Sequence, residues 1–215
     1  MQLKININPT SKQRKMMQEV LKMHQSGKLD LAETYYKKLL NELPENTVLL
    51  TNFGTLEFQK KNFDKGISLI ERSLKVDPNQ PNALNNLGVI FLRLNRPDEA
   101  LIQFDGAINF QQNYEEAHSN RGNALHDLNR PKEALMSYDR AISINSSYAK
   151  AYSNRGNVLK DLNRFNEAIE SYDIAINLMP NYANAYSNRG DALKEINQIK
   201  QAIDSYDCAI SLNPD

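Results

Sequence analysis

The sequence predicts an all-α fold: an elongated solenoid of six helix-turn-helix repeats. Three observations predict it. First, a shift of 34 residues lays Ser119-Asn120-Arg121-Gly122-Asn123 over Ser153-Asn154-Arg155-Gly156-Asn157, and then over Ser187-Asn188-Arg189-Gly190-Asp191. Second, apolar and small residues inside each block recur at i, i+3, i+4 and i+7, the spacing of one helix face. Tyr152, Arg155, Gly156 and Leu159 do so, and Ala168, Tyr172, Ala175 and Ile176 resume it after a break. Third, turn-forming residues stand at fixed phases. A lone helical hairpin cannot cover both of its apolar stripes, so hairpins of this kind must stack on one another.

The register divides the chain into residues 1–12, read as a flexible N-terminal arm, and six repeats at 13–46, 47–80, 81–114, 115–148, 149–182 and 183–215. The first repeat breaks at Gly27 and closes at Pro44. The second carries Gly54 in its first helix and ends at Pro78. In the third and fourth, Gly88 and Gly122 are followed by Asn95 and Asn129, where a left-handed residue closes the first helix. Pro97 and Pro131 then open the second helices, where a missing N–H costs nothing. The fifth and sixth repeats have Gly156 and Gly190, then Asn163 and Asn197, and end at Pro180 and Pro214. A glycine inside a helix costs about 1 kcal/mol relative to alanine, so its recurrence at one phase needs a compensating contact. The expected contact is close backbone approach. Ala100, Ala134, Ala168 and Ala202 would face these glycines, with Phe104, Tyr138, Tyr172 and Tyr206 filling the next layer.

Composition excludes several classes. The 26 basic and 26 acidic side chains cancel, so no global field draws the chain to nucleic acid or anionic lipid. No apolar run is long enough to span a membrane, and residues 1–12 lack the apolar core of a secretion signal. The single cysteine, Cys208, cannot form an internal disulfide, which fits a reducing, cytoplasmic setting. His24, His118 and His126 match no metal-ligand spacing, and there is no phosphate loop or nucleophile elbow. No catalytic residue, metal or cofactor is therefore expected.

The 34-residue hairpin with Tyr152, Gly156, Leu159, Ala168, Tyr172, Ala175 and Pro180 at these phases resembles the tetratricopeptide repeat, over about residues 13–215. The resemblance implies a right-handed superhelix whose first helices line a concave groove that receives a protein or peptide partner. Departures are local. Val20 replaces the first glycine, Gly66 and Ser73 replace alanines, and Gln112 and Ser146 stand at proline sites. Arg121, Arg155 and Arg189 precede the glycines where an apolar residue is usual. They would either reach Asp139, Asp173 or Asp207 in an ion-pair ladder or lie solvated.

The sixth residue of five successive repeats is Asn52, Asn86, Asn120, Asn154 and Asn188, with Gln18 in the first. An asparagine amide offers two donors and an acceptor, so such a row can bond peptide backbone without reading side chains. Asn123, Asn157 and Asp191 would widen the strip, and Asp127, Asp161 and Glu195 would add negative charge. The other reading is that duplication copied an idle asparagine; the binding reading is preferred. A similar asparagine ladder lines the repeats of protein O-GlcNAc transferases, so a substrate-recognition region of a larger glycosyltransferase is the alternative, although no catalytic domain is present in this sequence. A second tetratricopeptide subset clamps chaperone carboxylates with a lysine just before the asparagine. Thr51, Asn85, Ser119, Ser153 and Ser187 stand there, so that clamp cannot be assembled. The sequence stops at Asp215, before any helix with a polar outer face, and Ile203, Tyr206 and Ile210 would leave an apolar stripe open. Three outcomes follow: a fragment of a longer protein, which is favoured, a homodimer through the C-terminal end, or further repeats in the natural product. Pairing through the uncapped end would make the chain a self-assembling scaffold.

Overall fold

The computed structural model describes residues 9–214. Among these residues there are twelve α-helices and no strand. The chain divides into two compact units, Met1–Arg96 and Pro97–Asp215.

The first unit holds α1 (Ser11–Gln25), α2 (Leu29–Glu42), α3 (Thr47–Gln59), α4 (Phe63–Val76) and α5 (Pro81–Arg93). Helix α1 begins two residues before the repeat register, because Thr10 and Gln13 form a reciprocal capping box. The expected arm is shorter by that much, and its residues 1–8 lie outside the described residues. Val20, Tyr36, Leu39, Leu49, Phe53 and Leu56 form the core under α1 to α3. The Tyr36 ring stacks on Phe53 at 5.6 Å, and burial pushes its phenol up to about 12. In the α3–α4 hairpin, a Cβ placed on Gly54 would lie 2.9 Å from the Gly66 carbonyl oxygen, so here the glycine does serve close backbone approach. Charge is concentrated beside this hairpin. Glu33 accepts from Lys37, Lys60 and Lys65 at 2.6, 2.5 and 3.3 Å, which holds its carboxyl down at about 2. Glu57 is fully buried and accepts from Lys65 at 2.5 Å and from the Asn62 amide at 2.8 Å.

The second unit holds α6 (Pro97–Phe110), α7 (Glu115–Asp127), α8 (Pro131–Ile144), α9 (Ala149–Asp161), α10 (Phe165–Leu178), α11 (Ala183–Glu195) and α12 (Ile199–Leu212). Each helix packs on the next, and α7, α9 and α11 also touch in succession. The nearest neighbours of the glycines here are aromatic rings. A Cβ on Gly122, Gly156 or Gly190 would lie 2.6 Å from Cε1 of Tyr138, Tyr172 or Tyr206, so the missing side chain makes room for the ring of the second helix. The arginine ladder forms, one repeat earlier than its expected register. Arg121, Arg155 and Arg189 donate Nε to Asp105, Asp139 and Asp173 of the preceding repeat, at 2.6, 2.7 and 2.6 Å. Each also donates from its other arm to Ser137, Ser171 or Ser205 in its own repeat, at 2.7 Å. One planar guanidinium thus ties a hairpin to itself and to its predecessor. Ile203 and Ile210 on α12 are 53% and 60% exposed, whereas Ile169, at the Ile203 phase of α10, packs against a core cluster that includes Ala192 of α11.

Six turns close in the same way. Asn95, Asn129, Asn163 and Asn197 have φ between 55° and 60°, and Gly27 has 77°. In each, the following N–H reaches back to a carbonyl five residues earlier, as Arg130 does to Leu125 at 2.8 Å. The sixth left-handed residue is Lys61, with φ 64°, which the sequence pattern did not single out.

Candidate peptide-binding face

The five asparagines lie on α3, α5, α7, α9 and α11, and every one is half-buried. They are neither sealed inside the core nor fully solvated. In the first unit, Asn86 donates its amide to Thr55 of the preceding first helix at 3.2 Å. Asn52 borders a hollow of about 230 Å³ together with Val48, Thr51, Gln80 and Pro81.

In the second unit the asparagines form a relay. Asn154 donates to the Asn123 carbonyl at 2.9 Å, and Asn188 to the Asn157 carbonyl at 3.0 Å. The same carbonyls accept from the buried tyrosines: Tyr138 bonds Asn123 at 2.7 Å and Tyr172 bonds Asn157 at 2.8 Å. Burial, reinforced by Asp127 for Tyr138 and by Asp161 and Asp191 for Tyr172, pushes both phenols up, so they remain protonated donors. Asp191 replaces asparagine in the last repeat. It accepts from Tyr206 at 3.0 Å and from Lys160 at 3.1 Å, which makes this step of the relay ionic.

The carbonyls of Asn123 and Asn157 and the carboxylate of Asp191 are therefore already engaged within the protein. For Asn154 and Asn188, one amide N–H is spent between repeats. The carbonyl and the second N–H have no partner within the protein among the described residues. Asn120 is half-buried and has an interaction of its own. His126 pairs with Asp161 of the next repeat, Nε2 to Oδ2 at 2.7 Å, and not with its neighbour Asp127. Asp127 and Glu195 are exposed. The relay has a sequence signal, an asparagine or aspartate fifteen residues before a tyrosine in three successive repeats. Among the described residues no group of three or more His, Cys, Asp or Glu is placed to hold a metal. No described helix is long and apolar enough to cross a membrane. Thr51, Asn85, Ser119 and Ser153, at the positions a carboxylate clamp would use, are buried.

Family comparisons agree with this architecture. Models described as TPR repeat match residues 122–162 and 156–197, and models described as tetratricopeptide repeat match residues 51–115 and 183–215. No curated protein sequence matches the chain. Among solved structures, MamA is 26% identical, with 75% of this chain and 94% of MamA covered at a TM-score of 0.67. YrrB, described as a TPR protein with an unusual peptide-binding site, is 22% identical, with coverage of 84% and 93% and a TM-score of 0.64. PilF of Pseudomonas aeruginosa is 16% identical, with coverage of 94% and 92% and a TM-score of 0.83; at this identity the likeness shows the shared fold alone. With its stacked helix pairs, left-handed turn residues and matched repeat models, the chain belongs to the tetratricopeptide repeat family, an all-α helical-repeat solenoid.

Proposed function

We propose that the chain is a non-catalytic protein-interaction scaffold, and that its first helices hold an extended peptide or partner segment through the backbone. The observation that carries this reading is the recurrent amide. Asn154 and Asn188 are each fixed by one hydrogen bond to the preceding repeat while keeping a donor and an acceptor in reserve. A side chain anchored in this way loses little rotamer entropy on binding. The groups it offers match peptide C=O and N–H and are indifferent to side chains. Asn120 belongs to the same series in the second unit, and Asn52 and Asn86 repeat the phase within the first; YrrB's described peptide-binding site is consistent with such a use of the fold.

The test uses peptides selected from a random displayed library, and compares each with its backbone N-methylated form. Replacing Asn120, Asn154 and Asn188 together with alanine is expected to weaken binding at least tenfold, at about 0.5 to 1.5 kcal/mol per lost bond. N-methylation should weaken it similarly while leaving every side chain in place. Unchanged affinity in both arms would remove the proposal. Because the variant also loses two inter-repeat bonds, the melting temperature is followed in parallel.

A second reading, self-association through α12, is favoured by the exposure of Ile203 and Ile210. Light scattering over a concentration range tests it: mass should rise with concentration and fall back in an Ile203→Lys, Ile210→Lys variant. The glycosyltransferase reading rests on the asparagine series alone, and a catalytic domain encoded in the same reading frame is what would support it.

A further inference from the structure

The repeats act as controls for one another, and three departures from them meet at one place in the first unit. Phe58 and Phe63 flank the α3–α4 turn with ring centroids 5.8 Å apart and tilted by 51°. No other turn pairs two aromatics at these phases; the counterparts in the fourth repeat are His126 and Pro131. Lys61 occupies the left-handed position that asparagine or glycine fills in the other five turns, and so holds a long cation in a conformation that the Cβ of most side chains disfavours. Arg93 stands where the fourth, fifth and sixth repeats carry Asp127, Asp161 and Glu195. These residues, with Gln59, border one cavity of about 590 Å³. Lys61 and Phe63 also border an adjoining hollow with Asp64, Lys65 and Leu94. The Lys65 ammonium is committed to Glu57 and Glu33, whereas Lys61 and Arg93 are in no ion pair among the described residues.

We infer that this cavity binds an aromatic side chain flanked by carboxylates, in an acidic linear segment of a partner protein. The tilted phenylalanine pair offers ring faces and edges to an incoming ring. Two cations without acidic partners supply charge of one sign at the rim, so an anionic segment is the complement. A free phosphate would leave the two rings unused. A nucleic-acid backbone would call for a longer basic track than this nearly neutral chain provides. The pocket does not depend on the asparagine series, and the two can fail separately.

The experiment measures fluorescence anisotropy of a blocked, labelled octapeptide with Glu-Phe-Glu at its centre, titrated with the full chain. Gln-Phe-Gln and Glu-Ala-Glu peptides are the controls. The expected result is saturable binding that is at least tenfold weaker for either control and weakens with added salt. Lys61→Asn with Arg93→Gln should cost at least tenfold while preserving the circular dichroism spectrum and melting temperature, since asparagine already stands at the first phase in four turns and glutamine at the second in α3. Phe58→Leu should also weaken binding. Asn52→Ala with Asn86→Ala should leave it unchanged. The inference is overturned if the Glu-Phe-Glu peptide does not bind at millimolar concentration, if the controls bind equally, or if the charge variant binds like the parent. It is also overturned if only the asparagine variant loses binding.

Discussion

Replacing Lys65 with methionine is expected to lower the unfolding free energy of the first unit by about 2 to 3 kcal/mol. Glu57 is fully buried, and Lys65 is the cation that neutralises it, at 2.5 Å. Without that ammonium the carboxylate keeps only the Asn62 amide at 2.8 Å. A buried charge stripped of its partner costs more than the pair contributes, because desolvation has already been incurred. Lys65 is itself 43% exposed, so solvent moderates the loss to somewhat below the roughly 3 to 5 kcal/mol of a fully buried pair. Urea unfolding followed by circular dichroism gives the number. The paired variant Lys65→Met, Glu57→Leu should recover at least half of the loss, because it removes the orphaned charge along with its cation. If the double variant is no more stable than Lys65→Met alone, the carboxylate is not the source of the cost.

The second large effect is a change of sign. Gly156→Ala should destabilise the second unit by about 1 to 2 kcal/mol: overpacking against a fixed ring costs about 1 to 3, and alanine's better helix propensity returns up to about 1. The added carbon would meet Tyr172 Cε1 at 2.6 Å and Cζ at 2.8 Å. The ring cannot swing aside cheaply, because it is buried and its hydroxyl donates to Asn157. Tyr172→Ala alone should cost about 3 to 5 kcal/mol through the cavity it leaves. In that background Gly156→Ala should turn neutral or favourable, a non-additivity that the double-mutant cycle reads directly. An equal cost in both backgrounds would show that the glycine serves something other than the ring.

These two variants mark where the sequence was readable. The 34-residue period, the hairpin breaks and the left-handed asparagines were all legible, because each depends on residues close in the chain: spacing along one helix, or a single φ. Lys61 escaped because composition hides strain. A lysine in a turn looks solvated until its backbone is seen to be left-handed. The asparagine series was legible as a recurrence, but not as a relay, since Asn123 and Asn157 gain meaning only when a tyrosine from one helix and an asparagine from the next repeat converge on one carbonyl.

The sequence by itself determined the repeating unit: its length, its two helices, its turns and the phases at which small, aromatic and amide side chains fall. Only the tertiary structure decided which of those side chains meet. It set the ring of Tyr172 directly over Gly156, and it aimed Arg155 back at Asp139 and not at Asp173 of its own repeat. The reason is physical. Helical periodicity fixes the face on which a residue lies, but the packing of one hairpin on the next fixes the axial offset between faces. A shift of one repeat changes every partner without changing the pattern.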